Sequence, residues 1–158
     1  MQHDENYTMT FLKEKINEIK IALFRTEEIN SELKLPNNII TTLKVDDDGT
    51  VWFLTATKEY YEIVRLIDKP FFAYLDYYRK GIDCHLRLSG KATIVHDTDE
   101  AFGINCGADH TGIVLVKMKI MQAEFYEKRG LTNLSWSQKI RSAFNHLFIP
   151  HHRVYNFS

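Results

Sequence analysis

The feature that most constrains this chain is a pair of strand-like runs joined by an aspartate-glycine turn. Ile39-Ile40-Thr41-Thr42-Leu43-Lys44-Val45 is β-branched almost throughout, Asp46-Asp47-Asp48-Gly49 interrupts it, and Thr50-Val51-Trp52-Phe53-Leu54-Thr55 resumes. β-Branched and aromatic side chains suit a pleated sheet, and glycine supplies the positive φ that a tight turn needs. The segment predicts an antiparallel hairpin. Its aspartate triplet does not read as a calcium loop, which spaces carboxylates at alternate positions and closes on a later glutamate.

The remaining segments mostly repeat the strand signature. Ile21 to Thr26 is short and apolar, Phe71 to Tyr78 is aromatic, Cys84 to Val95 alternates apolar with polar residues, and Ile113 to Ile120 does the same. Alternation of this kind marks half-buried strands. Before them, Phe11, Leu12, Ile16 and Ile19 recur at helical spacing, so a helix is expected over 10–20 with Thr10 as its N-cap. Glu27 to Asn38, with Pro36, reads as a connection holding a short strand, Glu59 to Ile67 as a short helix stopped by Pro70, and the stretch holding Gly103, Gly107 and Gly112 as loop. Two C-terminal helices are expected within 121–149, one over Met121 to Arg129 ending at Gly130 and one over Ser135 to Phe148 ahead of Pro150.

Strands outnumber helices and one join is a tight hairpin, so the expected class is mainly β with α+β character, an antiparallel, closed or partly closed sheet. A chain of 158 residues suits one domain with its own core, the barrel occupying about 21–120. Aromatics reach 13%, and a strand such as Phe71 to Tyr78 cannot bury all of them because alternate residues face opposite ways. Some must cover an outer face. A formal charge of −1 gives no field that would draw nucleic acid or an acidic membrane, although after Glu127 only basic charges follow. Two cysteines, Cys84 and Cys106, make no disulfide framework. With no stretch of signal-peptide or membrane-spanning length, a cytoplasmic location is expected. His85, His96 and His110 lack metal-site spacing, and His146, His151 and His152 have no carboxylates nearby to orient them, so no metal is expected.

Several motifs, in their order, resemble bacterial general stress proteins related to pyridoxamine 5'-phosphate oxidase. Val45 to Thr55 resembles that family's strand-turn-strand, Asp68-Lys69-Pro70 its step after the helix, and Leu88-Ser89-Gly90-Lys91-Ala92 its glycine-containing strand. Ala123-Glu124-Phe125-Tyr126-Glu127 is similar to its closing motif. The resemblance covers roughly Ile16 to Lys128. It implies a six-stranded split β-barrel, a homodimer, FMN at the dimer interface, and flavin-dependent oxidoreductase activity on a small molecule.

The same resemblance implies the cofactor residues. The family's arginine, which holds the FMN phosphate at the start of the first hairpin strand, falls on Asn38, an amide with no fixed charge. Thr55, Thr57 and Lys58 match its hydroxyl and lysine after the second strand, with a shorter loop. The flavin ring would lie along Thr41, Thr42 and Leu43, covered by Tyr126 of a second subunit, and no catalytic acid or base is singled out. The rival expectation is a split barrel that lost FMN with its arginine and became a flavin-free binding module or a stress-related structural protein.

Overall fold

A computed structural model of the chain describes residues 2–27, 35–57, 67–79, 84–95, 112–127 and 151–157. Helix α1 spans Gln2–Ile19, followed by β1 (Ile21–Thr26), β2 (Asn38–Val45), β3 (Thr50–Ala56), β4 (Phe71–Arg79), β5 (Cys84–Val95), β6 (Ile113–Glu127) and β7 (His151–Asn156). All neighbouring pairs are antiparallel, in the order β3-β2-β1-β4-β5-β6-β7, and a further β3–β6 pairing closes six of the strands into a barrel. The seventh lies outside the closure.

The fifteen-residue strand β6 makes this arrangement possible. One edge pairs with β5 along nearly its whole length. The other edge is shared: its first half meets β3, from Ile113 with Ala56 to Lys119 with Thr50, and its second half meets β7, from Gln122 with Asn156 to Glu127 with His151. Where the two halves join, the register with β5 shifts between Ser89 and Gly90. Backbones approach so closely there that a Cβ on Gly90 would stand 1.9 Å from the Lys119 carbonyl oxygen. This is the physical need behind the glycine of the Ser89-Gly90-Lys91 motif.

Strand alternation sorts the side chains. Phe24, Phe53, Leu75, Tyr77, Leu86, Leu88, Val116 and Met118 point inward and are fully buried, with the Phe24 and Phe53 rings 5.1 Å apart. Thr42 on β2 also points inward, and its hydroxyl lies 2.6 Å from that of Tyr77. Burial pushes the Tyr77 phenol well above its ordinary range, although the Thr42 hydrogen bond works the other way, so the hydroxyl stays neutral.

Helix α1 covers one end of the barrel. Leu12 and Ile16 are fully buried, Phe11 meets Phe125 edge to face with ring centroids 5.0 Å apart, and Lys13 and Glu18 pair with Asp47 and Arg79. The helix starts at Gln2, eight residues before the expected start, so Thr10 lies within it and is no cap. It stops at Lys20, whose φ of 63° is left-handed and whose amide still bonds the Ile16 carbonyl.

The hairpin forms as its turn chemistry requires. Gly49 has φ of 82° and donates to the Asp46 carbonyl, while the Asp46 amide donates to Thr50. The turn's carboxylates are taken by Lys13, Lys44, Trp52, Thr50 and Lys119.

One expected element is not formed. Met121 to Glu127 is not the start of a helix but the second half of β6, so the barrel runs past 120. These residues have fair helix propensity, but β5 on one side and β7 on the other supply partners for both backbone edges. The helices expected over Glu59 to Ile67 and Ser135 to Phe148 lie outside the described residues, apart from Ile67, which bridges to Ile94. Among the described residues no helix is long and apolar enough to cross a membrane.

Candidate functional site

Strands β2 and β3 are in register only near their turn, where Val45, Lys44 and Thr42 face Val51, Trp52 and Phe53, with an irregularity at Leu43. Beyond that point β2 continues with β1, Asn38 to Thr41 facing Phe24 to Ile21, whereas β3 continues with β6. Between Asn38–Thr41 and Leu54–Ala56 the two strands share no ladder partners, which leaves a seam in the β2–β3 pairing. Asn38 reaches across it. Its Nδ2 donates to Thr55 Oγ1 at 3.1 Å and to the Ala56 carbonyl at 2.9 Å.

The far side of the seam is held as well. Thr55 is buried, and the Thr57 amide donates to the Gly112 carbonyl at 2.6 Å. Gly112 has φ of 67°, and a Cβ there would stand 2.6 Å from the Thr57 oxygen. Only glycine fits that approach.

The structure joins Asn38 to Thr55, with Thr57 two residues further along bonded to Gly112. Thr41 and Leu43 are exposed on the outer face of β2, but Thr42 turns into the barrel and its amide donates to the Lys20 carbonyl. Lys58 lies outside the described residues. Tyr126 belongs elsewhere in the same chain: the β6 partner of Phe53 is Val116, ten residues before it, which is roughly 33 Å of strand at the usual rise.

Around the seam the outer face is apolar. Ile21 and Leu23 on β1, Ile39 and Leu43 on β2, and Tyr78 on β4 are all exposed, Ile39 by 78%. The register places Ile21 opposite Thr41 and Leu23 opposite Ile39, so these side chains form one patch.

Beside the patch lies a charge cluster that sequence reasoning missed. Asp76, with 13% of its side chain exposed, accepts hydrogen bonds from Arg25 Nε at 3.0 Å and Arg87 Nε at 2.7 Å, and His85 Nε2 stands 3.4 Å away. Burial works to raise the Asp76 carboxyl, but the two guanidiniums outweigh it and hold the group below the usual carboxylate range. The guanidinium of Arg25 also lies 5.5 Å from the centre of the Tyr74 ring. Alternation over Cys84 to Val95 set His85 and Arg87 on its polar side, but their convergence with Arg25 on Asp76 needs the register of three strands.

No protein-family model and no curated protein matches the sequence. Solved structures do match the fold. General stress protein 26 from Jannaschia sp. CCS1 aligns with a TM-score of 0.64 at 13% identity, over 96% of this chain and 99% of that one. PhzG from Burkholderia lata 383, in complex with tetrahydrophenazine-1-carboxylic acid, aligns at 0.58 and 14% identity over 96% and 87%. A Clostridium acetobutylicum protein related to general stress protein 26 of B. subtilis, of the pyridoxinephosphate oxidase family, aligns at 0.54 and 19% identity over 77% and 89%. The chain thus has the split-barrel architecture of these proteins. It carries that fold nearly whole, since the first alignment spans almost all of both chains.

Proposed function

We propose that this chain is a flavin-binding split-barrel protein of the pyridoxamine 5'-phosphate oxidase-related kind, acting as a cytoplasmic homodimer on a small molecule. The observation that carries the reading is the exposed apolar face beside the unladdered β2–β3 seam, on the fold that the motif order implies. A planar, largely apolar ring suits that face, and Thr41 and Leu43 are exposed along it. The side chain of Thr42 belongs to the core and takes no part. When bound, the flavin supplies the hydride or electron chemistry. The protein's share is to seat and orient it and to exclude water.

Dimerisation belongs to the same proposal. Five exposed apolar side chains on adjoining strands form a patch of the kind that marks an interface, and a second copy would set its own Tyr126 over β2. The fit is weaker at the phosphate end. Asn38 carries no charge and its amide hydrogens are already committed, an observation that favours the second reading, a split barrel that binds another ligand without FMN.

Flavin absorbance in freshly purified protein, followed by FMN titration with the stoichiometry read per dimer, tests the first reading. One FMN per chain in a particle of twice 18.6 kDa is the expected outcome. A monomer by light scattering removes the two-chain site. A dimer indifferent to FMN and riboflavin leaves the binding module.

A further inference from the structure

Asn38 occupies the position of the family's phosphate-binding arginine, but its side chain is turned to a different task. A carbonyl oxygen only accepts hydrogen bonds, so the bond to Ala56 requires the amide nitrogen, not the amide oxygen, to face β3. The second amide hydrogen goes to Thr55 Oγ1. Both bonds cross a stretch in which β2 and β3 have no register partners, so the side chain replaces the missing backbone ladder. On its other side the same strand end is tied to β6, through Ala56 with Ile113 and Thr57 with Gly112.

We infer that Asn38 is a positioning residue, a clasp that closes the β2–β3 seam and sets where Thr55, Ala56 and Thr57 stand, and that it makes no contact with a ligand phosphate. A flavin seated against this strand end is held, as far as residue 38 is concerned, equally with or without its phosphate. The ligand half of the inference rests on the flavin reading; the clasp itself does not.

The test uses the full chain with Asn38→Leu, which keeps similar bulk and removes both donors, and with Thr55→Val, which removes one acceptor from the other side. Without ligand, hydrogen exchange at the Thr57 amide is expected to quicken by about tenfold or more in Asn38→Leu and by less in Thr55→Val, because a lost hydrogen bond changes a local opening equilibrium by that order. With ligand, Asn38→Leu lowers the affinities for FMN and riboflavin by the same factor, so their ratio stays that of wild type. Unchanged exchange at Thr57 in both variants overturns the clasp. A loss confined to FMN, with riboflavin unaffected, overturns the claim about phosphate and returns Asn38 to the role of a direct ligand. If neither flavin binds wild type, the proposed function fails, and the exchange measurement alone decides the clasp.

Discussion

The Thr42–Tyr77 pair offers the sharpest energetic test of the fold. Both groups are buried, Tyr77 completely and Thr42 to 8% exposure, and their hydroxyls lie 2.6 Å apart inside the barrel. Replacing Tyr77 with Phe leaves the Thr42 hydroxyl buried with its partner gone, and Thr42→Val does the same to the phenol. An unsatisfied buried hydroxyl costs about 1–3 kcal/mol, whereas removing both partners together is nearly neutral. Each single variant should therefore lower Tm by roughly 2–12 °C, at about 2–4 °C per kcal/mol for a chain of this length. The double variant should recover most of that loss. Calorimetry and denaturant unfolding of the four proteins at one protomer concentration measure the coupling directly. Additive single effects, or singles that cost nothing, would refute the argument that this hydrogen bond is sealed from water. Flavin titration of Thr42→Val adds a functional check, since a side chain turned into the core should leave affinity unchanged.

Three further outcomes are expected. Gly90→Ala puts a methyl group into the Lys119 carbonyl, so it should cost about 3 kcal/mol or more, or prevent soluble folding; a loss under about 0.5 kcal/mol in urea unfolding would show that the bulge adapts. Because the Asp76 carboxyl is held below its unfolded value of about 3.9, its contribution is present above that pH and is lost as pH falls through the lower folded value. Asp76→Asn should therefore destabilise the protein at pH 7 and flatten the acid limb of its stability profile, and an unaltered acid limb would count against the cluster. Leu23→Lys with Ile39→Lys on the outer patch should shift light scattering from dimer to monomer with little change in monomer stability.

How legible the site was varies with how local its causes are. The lone Asp-Gly turn and the β-branched runs around it announce β2 and β3, and glycine at 49 is explained by its own φ. Asn38 and Thr55 were named from motif order, and the structure joins them by a hydrogen bond. The task Asn38 performs was not legible, because it depends on β2 and β3 sharing no ladder partners beyond Thr42. Nor was β7 legible: His151 to Asn156 becomes a strand by pairing with the second half of β6.

By itself the sequence determined the period of the central strands and the hairpin turn, because alternation and turn geometry act over a few neighbouring residues. It also determined that apolar side chains must remain on an outer face, since alternation in strands such as Phe71–Arg79 sends aromatics both ways. Only the tertiary structure decided that Met121 to Glu127 is strand, that Asp76 gathers Arg25, Arg87 and His85, and that the side chain of Asn38 closes a seam. Each depends on partners on other strands. The register of a closed sheet, not local preference, brings them within a hydrogen bond's reach.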